Sequence, residues 1–155
     1  MRFGEDLEDI AEGKILDAKR VHISMALSAS FPESSDNLSG REGMPDLGFL
    51  IEAGPKVDLY LSGDPDDEQE LSLSLQLRGA VSLDDLNATG RGFVFSPELE
   101  YLTRGVFDSK TELRFRMAPT WATSNYTNFF YGVDPEFATP SRPAFDAESG
   151  YLNTE

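Results

Sequence analysis

From Leu71 the odd positions read Leu71, Leu73, Leu75, Leu77, Gly79, Val81 and Leu83, and the even ones Ser72, Ser74, Gln76, Arg78, Ala80, Ser82 and Asp84. Successive side chains of a β-strand point to opposite faces, so this period of two predicts a strand with one apolar and one polar face. Strands of soluble domains usually run about 5–6 residues, and this one keeps its alternation far longer. At ~3.3 Å per residue and ~45° of tilt it spans roughly 30 Å, the thickness of membrane hydrocarbon. Two architectures suit such a strand. In a transmembrane barrel the Leu ladder faces lipid; in a soluble lipocalin-like barrel or sandwich the same ladder faces inward.

Four other segments repeat the pattern. Phe49, Ile51, Ala53, Pro55, Val57, Leu59 and Leu61 alternate with Leu50, Glu52, Gly54, Lys56, Asp58, Tyr60 and Ser62, and Pro55, lacking an N–H, predicts a bulge or bend. Leu113, Phe115, Met117, Pro119 and Trp121 alternate with Glu112, Arg114, Arg116, Ala118 and Thr120. Val21 to Ala29 and Phe93 to Leu102 follow the same rule. Ahead of them, Leu7, Ile10 and Ala11 at helical spacing with Gly13 behind predict a short helix over 4–13. The expected fold is all-β: one domain over 1–155, an antiparallel up-and-down meander forming part of a transmembrane β-barrel, with that one N-terminal helix.

Turn-rich segments separate the strands: Phe31 to Asp46 is long, whereas 63–69, 85–91 and 104–110 are short. After Asn125 the alternation fades into a long Pro/Gly-rich stretch. Strand alternation puts Phe31 to Asp46, Asp85 to Arg91 and that last stretch on one side of the sheet. Aromatics near strand ends, among them Phe49, Phe93, Trp121, Tyr126, Phe129, Phe130 and Tyr131, suit an interfacial girdle.

Charge narrows the partners. With 13 Lys+Arg against 28 Asp+Glu the net charge is −15, which argues against nucleic acid, whose phosphates need clustered basic residues. No cysteine is present, which excludes disulfides and thiolate chemistry. No apolar run approaches the ~18 residues of a membrane helix, and the first residues lack the blocks of a signal peptide.

With strands and loops placed, EGKILDAKRVHISMALSAS, REGMPDLGFLIEAGPKVDL and YTNFFYGVDPEFATPSRPAFDAESGY resemble the MltA-interacting protein (MipA/OmpV) family of Gram-negative outer-membrane β-barrels. The resemblance runs from about Gly4 to Tyr151 and rests most on the aromatic-Tyr-x-Val-x-Pro string and the later Arg-Pro-Ala-Phe-Asp-Ala string. It implies a barrel of more strands, preceded by a signal peptide and closed by an aromatic strand. The chain is therefore expected to be an internal fragment, an open coiled sheet with an apolar outer face. It also implies a non-enzymatic scaffold in the cell outer membrane, in contact with lipid and with a murein hydrolase or synthase complex, and without a cofactor.

On this reading Arg78, Glu98, Glu100, Glu112, Arg114 and Arg116 form a lumen-facing charge ladder, Glu98 and Glu100 meeting Arg114 and Arg116 across a hairpin. Tyr126, Phe130, Tyr131, Asp134, Arg142, Phe145 and Tyr151 mark a candidate partner-contacting loop. Other chemistry is weaker. His22, the one histidine, shares a strand face with Ser24 and Ser28, the minimal setting of an outer-membrane lipid hydrolase, but residues two apart lie ~6.6 Å apart along a strand. Asp64, Asp66, Asp67 and Glu68 open like a calcium loop, yet Gln69 and Leu75 stand where Gly and Glu are needed, so no metal site is expected.

Overall fold

The computed structural model describes residues 13–18, 20–38, 40–63, 67–84, 87–106 and 111–155. The strands are β1 (Gly13–Ala18), β2 (Val21–Ser30), β3 (Phe49–Ser62), β4 (Gln69–Asp84), β5 (Asn87–Arg104), β6 (Glu112–Met117), β7 (Pro119–Ala122) and β8 (Gly150–Thr154). One helix, α1 (Ser124–Tyr131), follows β7. The helix expected over 4–13 lies outside the described residues except for Gly13, which opens β1.

All strands join one antiparallel sheet in chain order, with β6 and β7 both paired to β5. The long alternating runs become the long strands: β4 and β5 are 16 and 18 residues. β6 and β7 are one strand in register, since Leu99 faces Met117 and Phe95 faces Trp121. The break falls where that register sets Pro97 against Pro119, neither of which has an N–H to donate. Ala118 instead exchanges backbone hydrogen bonds with Glu155, at 3.0 and 3.2 Å. At Pro55 no residue is inserted: Ala53 faces Gly79 and Lys56 faces Gln76 in one register. The ladder to β4 opens there without a bulge, and Gly54 packs so tightly on the Leu77 carbonyl that no Cβ fits. Among the described residues neither end strand has a second partner, so the sheet they form is open.

The two faces differ sharply. Buried side chains on the strands are Ser24, Ala26, Ser28, Leu50, Glu52, Ser74, Ala80, Ser82, Val94, Ser96, Leu102 and Ala122, all at even positions. Leu27, Ile51, Leu77, Val81, Phe93, Phe95, Leu99, Tyr101, Phe115, Met117 and Trp121 are exposed, all at odd positions. Leu50 and Val94 are the largest side chains with less than 2 % exposure. The inner face is thus small and polar and the outer face apolar, the inverse of a lipocalin, whose apolar residues line the interior. That alternative from the alternation is corrected by the burial pattern.

Candidate functional site

Beside the Lys56–Asp58 pair at 3.6 Å, the described part of the inner face carries two larger groups of charges. In the first, the β5–β6 hairpin sets Glu100 opposite Arg116 and Leu102 opposite Arg114. The Arg116 guanidinium lies 3.5 Å from Glu98 and 3.4 Å from Glu100, and that of Arg114 lies 3.7 Å from Glu100 and 2.8 Å from Glu112. Arg104 extends the network, 3.5 Å from Glu112 and 3.9 Å from Glu70. Arg114 and Arg116 are half exposed, so water screens them and each pair contributes little alone.

Arg78 is not part of that network. It sits nearer the loop end, its Nε 3.2 Å from Glu52, with the two side chains only 11 and 6 % exposed. Glu52 also accepts a 2.7 Å hydrogen bond from the Tyr126 hydroxyl of α1. Burial, and after it the Glu52 charge, pushes the Tyr126 phenol up, because a phenolate there would be both desolvated and repelled.

Above this pair the long connections form a cap. In 31–48, Glu33 and Leu47 bond reciprocally at 3.0 Å, and the Ser35 backbone N–H reaches Asp46 at 2.8 Å. That N–H, then the Ser35 hydroxyl, holds the Asp46 carboxyl below its ordinary value. In 123–149, α1 is tied back to the chain that follows it. The Thr127 hydroxyl lies 3.0 Å from the Glu148 carbonyl, and Asn128 accepts the Ala147 N–H at 2.6 Å. The two connections dock reciprocally: Arg41 donates to the Phe130 carbonyl at 2.6 Å, and Arg142 to the carbonyls of Gly40 and Glu42 at 2.9 and 3.1 Å.

A bulge on β5 completes the joint. Ala80 faces Gly92 but Val81 faces Gly90, so Arg91 is the extra residue, and bulges re-aim side chains in this way. Although odd-numbered, Arg91 turns to the inner face: its Nε donates to Ser82 at 2.7 Å, and its guanidinium lies 4.7 Å from the Phe129 ring centroid. Gly92 at φ 88 suits the bulge and packs against the Thr123 side chain. Gly-Arg-Gly inside a strand pattern was the available signal for it.

The seven loop residues singled out from the sequence do not share one surface. Tyr126 points inward to Glu52, and Arg142 is occupied with carbonyls. Tyr151 belongs to β8, edge-on to Trp121 at 6.1 Å. Phe130 packs on Phe129 at 4.9 Å, while Tyr131, Asp134 and Phe145 are exposed. Elsewhere, the buried Ser24 hydroxyl makes no hydrogen bond, so it forms no pair with His22. The acidic turn falls partly outside the described residues, and among the described residues no three His, Asp or Glu side chains are grouped as metal ligands.

No curated protein and no solved structure matches the chain. The family described as MltA-interacting protein MipA matches over residues 2–155, nearly the whole length, and the chain belongs to that family.

Proposed function

We propose that this chain is part of the wall of a Gram-negative outer-membrane β-barrel acting as a non-enzymatic scaffold or adaptor for murein-processing enzymes. One observation carries the barrel half: apolar strand residues are on the exposed face and Ser, Glu and Ala on the buried one. An interior this small and polar supplies little hydrophobic stabilisation. The outer face needs an apolar medium, and lipid is the medium that suits two-residue alternation around a sheet. The adaptor half is supported by the family's description as an MltA-interacting protein. Tyr131, Asp134 and Phe145, exposed on the cap, are the residues to which we assign partner contact.

Fractionation of cells carrying the full-length protein tests the first half. A band in the outer-membrane fraction whose gel mobility shifts on boiling is expected; a soluble product with no shift overturns the reading. Photo-crosslinkers at Tyr131 and Phe145 test the second, with capture of a murein-processing enzyme expected and capture of none overturning it.

A further inference from the structure

Arg41 and Arg142 stand apart from the arginines of the wall. Arg78, Arg104, Arg114 and Arg116 each lie within 4.0 Å of a carboxylate. Among the described residues Arg41 and Arg142 bond only to backbone carbonyls: those of Phe130 and Pro45 for Arg41, and those of Gly40, Glu42 and Phe137 for Arg142. Each guanidinium has five N–H donors, so these bonds leave two Nη–H groups on Arg41 and one on Arg142, besides the Nε–H of each. Both Nε atoms are buried without a partner. The two cations are close enough for Arg142 to depress the Arg41 pKa, second to burial. In a chain with 28 acidic residues, two neighbouring guanidinium groups with no carboxylate within 4.0 Å among the described residues are a conspicuous exception.

Beside Arg142 is an open depression of about 380 Å³ lined by Gly40, Glu42, Thr139, Ser141 and Arg142. A tight turn builds its floor: the Thr139 N–H donates to the Arg142 carbonyl at 2.8 Å, and the Arg142 N–H to the Thr139 hydroxyl oxygen at 3.1 Å. The Thr139 and Ser141 hydroxyls, 3.2 Å apart, stand on the same turn as the Arg142 guanidinium. An arginine with two hydroxyls suits a tetrahedral oxyanion, which accepts a charge-assisted bond from the Arg142 Nη2–H that the Phe137 carbonyl leaves over and neutral ones from the alcohols. Glu42 lines the same depression and repels an anion, which favours one that approaches from the Thr139–Ser141 side.

We infer that the junction of the 31–48 and 123–149 connections is a phosphate-class anion site, with Arg142, Thr139 and Ser141 as direct contacts and Arg41 as the second positive charge. The anion would stabilise the docking of the two connections by neutralising the pair that holds them together. Inorganic phosphate and a phosphomonoester lipid headgroup present the same chemistry.

The test uses the full-length protein folded in a neutral detergent. Calorimetric titration is run with inorganic phosphate, and separately with mixed micelles carrying phosphatidic acid. Saturable binding of phosphate itself assigns a free-phosphate source, and binding of the phosphatidic acid micelles alone assigns a headgroup source. Arg142→Gln is expected to weaken either by about tenfold, the loss of one charge-assisted hydrogen bond. Because that change also loosens the cap, Ser141→Ala is measured beside it: among the described residues its hydroxyl bonds only to Thr139, and a loss of about threefold is expected from one neutral bond. Arg20→Gln, in the β1–β2 turn, should change nothing. Absence of binding in both titrations overturns the inference, as does binding that survives both site variants or falls equally with Arg20→Gln.

Discussion

The wall and the cap use arginine in opposite ways. On the wall, a two-residue period keeps Glu and Arg on one face, and antiparallel register carries them together, so Arg116 meets Glu98 and Glu100 and Arg78 meets Glu52. In the cap no register exists, and Arg41 and Arg142 reach across to carbonyls of the opposite connection. A ladder matches charge with charge because its geometry repeats. A joint between irregular segments matches a donor to whatever oxygen the backbone leaves unused.

The largest expected effect lies where wall and cap meet. Glu52→Ala leaves Arg78 buried without its carboxylate and should cost about 3–5 kcal/mol, read as a lowered urea midpoint for protein folded in detergent. A cost no larger than that of breaking an exposed wall pair would end the distinction between the two charge groups. Leu77→Arg on the outer face should cost about 2–4 kcal/mol in bilayers if that face meets lipid near mid-membrane. Gln76→Arg, facing inward, should cost much less, and equal losses would remove the assignment of faces.

Tyr126→Phe removes a hydrogen bond to a charged acceptor and should cost about 1.5–3 kcal/mol. The pH dependence has a definite sign. The folded pKa of Tyr126 is raised above the unfolded value, so its contribution is complete below about pH 10 and is lost as pH rises beyond it. Tyr126 should therefore ionise late in an ultraviolet phenolate titration, and the late step should vanish in Tyr126→Phe. The smallest effect belongs to the exposed end of the wall: Arg114→Gln should shift stability by about 0–1 kcal/mol, and a larger loss would mean that the Glu100, Glu112 and Arg116 network acts as a unit.

Much of this wall is legible in the chain. The alternation of Leu71 to Leu83 becomes β4, and the antiparallel pairing of β5 with β6 follows from two alternating segments separated by a turn-rich sequence. Less legible are α1 and β8, within and after a stretch that shows no alternation. Ser124 to Tyr131 carries several aromatics and two Asn, poor intrinsic helix formers, so docking against β5 and Glu52 overrides propensity there. Glu52 was visible as one even position among many; its importance depends on Arg78 and Tyr126, 26 and 74 residues further on.

The sequence alone determined which residues share a face, because side-chain direction along a strand is set by covalent geometry and repeats every two residues. It could not determine which face is inside, since a barrel and its inverse have the same alternation. Tertiary packing decided that, burying Ser24, Glu52, Ser74 and Ser82 and leaving Leu77 and Phe95 exposed. Tertiary structure also decided the cap: contacts between residues as distant as Arg41 and Phe130 depend on the relative placement of two irregular segments, which no local period encodes.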